Sequence, residues 1–180
     1  VDEPLSGLRV FTLDYPNHEV KTSLNEALLP ALGLPAQQAL HTGLQVLKAL
    51  RANDFNALEA HFKALYASLP HDWYRKNPIA QYEGHYASIF YSHLAALGLN
   101  LTVEDATHKG RVDLCLDFNG HIYLFEFKVV EQVPEGRALA QLRARDYAAK
   151  HRASGKPIHL IGVEFSREQR QIVAFEVAIA

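Results

Sequence analysis

The chain changes its hydrophobic rhythm near its middle. In the first half, apolar positions recur every three or four residues over long stretches, the spacing of helices that bury one face. That spacing predicts helices over 20–32, 36–52, 55–69 and 79–97. Gly33, Pro35 and the Asn53-Asp54 pair mark the breaks, and Asn53 or Asp54 is placed to cap the helix beginning near Phe55. In the last helix Tyr82, Tyr86, Ile89, Phe90, His93 or Leu94, and Leu97 form the apolar stripe, and Gly98 closes it. Ahead of these helices, 8–15 alternates like a half-buried strand that ends at Pro16-Asn17. Pro70 and Pro78 bracket a loop in which Trp73 and Tyr74 read as a packing plug.

Beyond Gly98 the period shortens. Strands are predicted over 99–103, 112–118, 121–129, 157–165 and 170–178, with one helix over 138–151. Asn119-Gly120, lying between two alternating runs, is a strong hairpin signal. The pattern predicts an α/β fold with a mixed sheet flanked by helices. It divides into a helical subdomain or linker over 1–78 and a second domain over 79–180. No repeat or low-complexity tract is present. Ser154-Gly155-Lys156 lacks the earlier Gly and the following Ser or Thr of a phosphate-binding P-loop.

The hairpin carries the candidate chemistry. A two-residue Asn119-Gly120 loop pairs Phe118 with His121, Asp117 with Ile122, Cys115 with Leu124 and Asp113 with Glu126. Directly opposed residues hold their Cβ atoms roughly 4.5–5.5 Å apart on one face, and Lys128 shares that face two residues along. Opposed like charges destabilise a strand pair. Glu126 moreover sits in Tyr-Leu-Phe-Glu-Phe-Lys-Val-Val, apolar enough for a central strand. A divalent cation resolves the conflict, because two carboxylates with water and phosphate oxygens suit Mg²⁺ or Mn²⁺. A neighbouring Lys then stabilises an anionic transition state or helps activate water. The bland alternative puts Asp113 and Glu126 on an exposed edge with Lys128 neutralising one of them. A carboxylate-pair hydrolase acting on sugars would need no such Lys.

Composition narrows the class. The 180 residues are 48% hydrophobic and 21% charged, which excludes wholesale disorder. No apolar run reaches the ~18 residues of a membrane span. The single Cys115 allows no internal disulfide framework and no cysteine-based zinc site, and reads as a small buried residue. No segment resembles a signal peptide, so a reducing cytoplasm is the expected compartment. The chain opens on Val1 and contains no Met, from which an upstream part is expected. A net charge of −2 argues against a general nucleic-acid coating protein. Residues 137–156 nevertheless carry Arg137, Arg143, Arg145, Lys150, Arg152 and Lys156 against Asp146 alone, a local positive patch able to attract phosphate.

Gly110-Arg111-Val112-Asp113 followed by Glu126-Phe127-Lys128, on a hairpin after a helix, resembles the PD-(D/E)xK nuclease superfamily. The resemblance is closest to a branch of uncharacterised, mostly bacterial proteins in which the nuclease-like domain follows an AAA-type ATPase-like domain. Tyr82-Glu83-Gly84-His85-Tyr86 is similar to that branch's first-helix motif, and Ala138-Leu139-Ala140-Gln141-Leu142 with Tyr147 to its later helix. Tyr15-Pro16-Asn17-His18-Glu19-Val20 resembles the junction after the ATPase-like part. Val112 stands where the motif's name has Pro. The resemblance implies a restriction-endonuclease-like fold and metal-dependent hydrolysis of nucleic acid, DNA ahead of RNA. It implies that Asp113 and Glu126 bind Mg²⁺ or Mn²⁺ and that Glu83 adds to or orients that shell. Lys128 would assist the attacking water, and Gln141 would support the site. Arg143, Arg145 and Arg111 would meet the nucleic acid. The implied partners are nucleic acid and an upstream ATPase-like domain of the same polypeptide, with no membrane. A homodimer would cut both strands at once, though no seam announces one. The alternative is a non-catalytic regulatory or binding module serving the ATPase-like partner. His85 and His108 flank motif positions, whereas His18, His41, His61, His71 and His151 follow no ligand spacing, and Asp117 reads as exposed.

Overall fold

The computed structural model describes residues 36–69 and 83–180, together with residues 19, 20 and 23. The predicted strand over 8–15, most of the helix over 20–32, and the Trp73-Tyr74 loop lie outside the described residues. The elements are α1 (Ala36–Ala52), α2 (Phe55–Ala67), α3 (Glu83–Ala96), β1 (Leu101–Thr107), β2 (Gly110–Phe118), β3 (His121–Val130), α4 (Arg137–Arg145), β4 (Ile158–Ser166) and β5 (Ile172–Ile179). Asp54 caps α2, its Oδ1 accepting from the Ala57 N–H at 3.0 Å. Asn53 instead takes a left-handed backbone (φ 51°) just past α1, the usual way of ending a helix.

The five strands form one sheet in the order β1-β2-β3-β4-β5. All pairs are antiparallel except β3 with β4, and α4 lies in the crossover that this parallel step requires. The chain thus forms the predicted mixed sheet flanked by helices. One face, with Leu114, Phe125, Phe127 and Val163, packs against α1, α2 and α3 in a single core that includes Leu50, Phe62 and Phe90. The other face, with Ile122, Leu124 and Leu160, packs against Leu139 and Leu142 of α4. Every residue of β4 is buried, as expected of a strand covered on both faces. Among the described residues no helix is long and apolar enough to cross a membrane.

The hairpin register follows the Asn119-Gly120 signal from Phe118–His121 through Asp117–Ile122 to Leu114–Phe125. It then departs from expectation: Asp113 and Glu126 are not a ladder pair. The Asp113 carboxylate instead accepts from the Phe127 N–H at 2.8 Å, a side chain standing where the strand pairing opens. The first strand starts and ends later than predicted, because a tight turn at His108-Lys109 pairs Thr107 with Gly110. The helix predicted over 138–151 stops at Arg145. Asp146 turns left-handed (φ 46°), its carboxylate gripped by both guanidinium nitrogens of Arg152 at 3.1 and 2.5 Å. Two 3₁₀ turns follow and bury Tyr147, whose hydroxyl lies 3.1 Å from where a Cβ on Gly110 would stand.

Candidate active site

The irregular stretch of β2 places the first carboxylate. Val103–Leu114 and Asp105–Val112 pair across β1 and β2, but Glu104 between them has φ 48°. Val112 packs on the α4 side of the sheet and Leu114 on the opposite side, so the alternation breaks at Asp113. A non-glycine residue at positive φ costs about 1–2 kcal/mol and persists only where its surroundings impose it.

Glu126 projects from β3 and is 1% exposed. Its Oε1 receives two donors, Lys128 Nζ at 3.1 Å and Gln141 Nε2. Lys128 Nζ also lies 3.3 Å from Glu83 Oε2, in the first turn of α3. Glu83, Glu126, Lys128 and Gln141 are therefore linked, with Asp113 beside them.

Gln141 reaches Glu126 through two residues of β4 that the sequence reading missed. Gly162 pairs with Glu126 across β3 and β4, and a Cβ there would stand 2.4 Å from the Leu139 backbone nitrogen. Its missing side chain lets α4 settle onto the sheet. Glu164 pairs with Lys128 and is fully buried. Its Oε1 accepts from the N–H groups of Arg137 (2.5 Å) and Ala138 (3.3 Å), and its Oε2 from Glu135 (2.6 Å) and Gly136 (3.1 Å). One carboxylate thus satisfies the otherwise orphaned donors at the start of α4 and complements the helix dipole. The backbone spacing that brings Glu164 there is tertiary, so only a Glu in an apolar strand could have hinted at it.

Burial dominates the electrostatics. It pushes the Glu126 carboxyl up to about 7; Asp113 adds to the rise and Lys128 opposes it. Burial also raises Asp113, against the Phe127 N–H and Lys128. For Lys128 burial works against the charge, but Glu126, Glu83 and Asp113 outweigh it and raise the ammonium pKa. Glu126 Oε2 is buried with no hydrogen-bond partner among the described residues. An orphaned carboxylate oxygen next to a second carboxylate is an oxygen donor set that suits Mg²⁺ or Mn²⁺.

The arginines singled out in the sequence have other commitments. Arg111 pairs with Glu104 at 2.7 Å, and Arg145 donates to the Lys109 carbonyl at 3.0 Å. Arg143 is exposed, two residues and hence about 200° around the helix from Gln141. His85 is half-buried, which lowers its pKa, and His108 is exposed at the β1–β2 turn.

A second cluster lies on the α4 side. Ligating atoms of Asp105, Cys115 and His151 all stand within 4.8 Å of one another. Cys115 is buried, as read from the sequence, and His151, which follows no ligand spacing along the chain, reaches it only through the fold. The three come from two strands and the residue joining the two 3₁₀ turns, a convergence without any sequence spacing. Lys150 and His151 (3.0 Å) both engage the buried Asp105 carboxylate. Burial, then Asp105, push the Cys115 thiol up to about 12.

Comparison with known proteins agrees with this architecture. Residues 81–175 match the PD-(D/E)XK nuclease superfamily. A protein of Azotobacter chroococcum mcd 1, described as "Uncharacterized protein in vnfD 5'region", is 60% identical over 168 residues, covering 93% of this chain and 32% of that protein. The chain therefore spans about a third of that relative's length. No solved structure matches. On the extent of the family match, which runs from helix α3 into strand β5 and covers more than half of the chain, this chain belongs to the PD-(D/E)XK nuclease superfamily.

Proposed function

We propose that this chain hydrolyses phosphodiester bonds of nucleic acid with a divalent cation, DNA ahead of RNA. The observation that carries the reading is Glu126 Oε2, buried without a donor among the described residues and close enough to Asp113 to feel its charge. Asp113 and Glu126 would hold Mg²⁺ or Mn²⁺, with Glu83 at the edge of the set. The cation would supply positive charge for a phosphate and acidify water near it. Water adds to phosphorus as the bond to the leaving oxygen breaks. Lys128 is held 3.1 Å from Glu126 and 3.3 Å from Glu83, and so faces the phosphoryl charge that builds in that step. Gln141 fixes the Glu126 rotamer through its amide. We further propose that an ATPase-like domain of the same polypeptide works with this unit; the length of the Azotobacter relative leaves room for one.

The test is cleavage of labelled single-stranded, duplex and branched DNA and of RNA, with Mg²⁺ or Mn²⁺ against EDTA. Lys128→Ala is the control and should cost at least 100-fold in rate. Metal binding without cleavage of any substrate would favour the regulatory module over the nuclease.

A further inference from the structure

A cleft of about 470 Å³ opens directly beside Asp113, between α3 and the strands β1 and β2. That volume encloses one small ligand. Its walls are largely apolar, formed by Tyr91 of α3, Val103 of β1 and Phe127 of β3. Val103 is 51% exposed, an aliphatic side chain presented to solvent next to charged groups.

Gly84 lies in the first turn of α3 and also lines this cleft. Its backbone is helical, so no left-handed conformation requires glycine there. Among the described residues nothing lies within 4 Å of where its Cβ would stand, so none of their packing requires it either. Glycine in a helix costs about 0.5–1 kcal/mol relative to alanine. Gly84 therefore lines the cleft beside Glu83 with open space, among the described residues, where a side chain would stand.

The polar lining offers acceptors. Glu83 and Glu104 present carboxylates, and Arg111 takes only Oε2 of Glu104. The Ser88 hydroxyl donates to the His85 carbonyl at 2.8 Å, leaving its lone pairs toward other donors. Among the described residues, the cations near the cleft are committed: Arg111 to Glu104, Lys128 to Glu126 and Glu83, and Lys109 to Asp146 at 4.0 Å. Tracking along a duplex needs several phosphate-neutralising cations, whereas single strands are also gripped by stacking bases on aromatic and apolar walls.

We propose that this cleft receives one unpaired base of a single strand, walled by Tyr91 and Val103, with the exocyclic amine of adenine, cytosine or guanine donating to Glu83 or Glu104. The inference rests on the nuclease reading and names its substrate class. Thymine and uracil present a carbonyl where the amine would stand, facing acceptors with an acceptor.

The experiment is fluorescence anisotropy of labelled dA, dC and dT dodecamers and a hairpin duplex, with Ca²⁺ replacing Mg²⁺. The full chain is compared with Gly84→Leu, Gly84→Ala and Tyr91→Ala, and each variant's Tm is recorded. dA and dC should bind at least 5-fold tighter than dT or the duplex. Gly84→Leu should lose at least 5-fold on dA and dC with an unchanged or higher Tm, and Gly84→Ala should lose less. Tyr91→Ala should lose about 5- to 100-fold. A duplex bound as tightly as dA and dC would overturn the inference, as would Gly84→Leu binding like the parent. Parallel Mn²⁺ cleavage separates the two readings. Cutting with no effect of Gly84→Leu on binding sinks the cleft and leaves the nuclease. The expected binding pattern without cutting sustains the cleft and sinks the nuclease.

Discussion

Glu126→Gln should make the metal-free protein more stable, and only at neutral or alkaline pH. In the folded chain the Glu126 carboxyl sits near 7 against an ordinary value of 4.5, chiefly through burial. A carboxyl whose folded pKa is raised contributes stability that is fully present below 4.5 and lost as pH rises through about 7. A rise of this size, at about 1.4 kcal/mol per unit, corresponds to roughly 3 kcal/mol at pH 8. Glutamine keeps an oxygen for Gln141 and Lys128, both of which donate to Oε1, and carries no charge to bury. The variant and the parent should therefore match near pH 4.5 and diverge to roughly 3 kcal/mol at pH 8, or about 6–12 °C in Tm for a chain this size. Urea midpoints in EDTA across pH 4.5–8 measure the gap. Saturating Mn²⁺ should close it by stabilising the parent alone. A variant no more stable than its parent at pH 8, or a gap independent of pH, would refute the claim that Glu126 is held at electrostatic cost.

Three further outcomes follow from the framework around the site. Gly162→Ala places a Cβ against the Leu139 backbone, so α4 must move; the expected cost is about 1–3 kcal/mol with weaker Mn²⁺ binding, read by urea titration and calorimetry. Glu164→Ala strips acceptors from four backbone N–H groups and should cost about 2–4 kcal/mol, with Glu164→Gln recovering part of it. His61 and His93 touch through their Nε2 atoms at 2.8 Å, and burial holds both near 4. Lowered histidines contribute stability that is present above 6.5 and lost as pH falls through about 4, on the order of 3 kcal/mol for each group; the loss is best measured in Glu126→Gln, where the opposing carboxyl is absent.

Much of the placement of the candidate site's residues was legible because they lie on local structure. Asn119-Gly120 sets a two-residue loop, and the alternation counted from it brings Asp113, Glu126 and Lys128 to one region. The count misled only at Asp113, where the ladder opens and the carboxylate caps the Phe127 N–H. Nothing in a period-two pattern announces such a break. The helix past Arg145 was over-extended because nothing in the spacing announces that Asp146 turns left-handed and pairs with Arg152 beyond the predicted helix. Gly162 and Glu164 were silent because their roles depend on α4 lying over β4, a contact between segments more than 20 residues apart. Arg111 looked free for phosphate in the sequence and is instead held by Glu104.

The central claim is that Asp113 and Glu126 together hold the divalent cation. Titration calorimetry with Mn²⁺ at pH 8 tests it most directly. The account predicts one site in the parent chain, lost in Asp113→Asn and in Glu126→Gln and kept in Lys128→Ala. Binding that survives both carboxylate substitutions would contradict it.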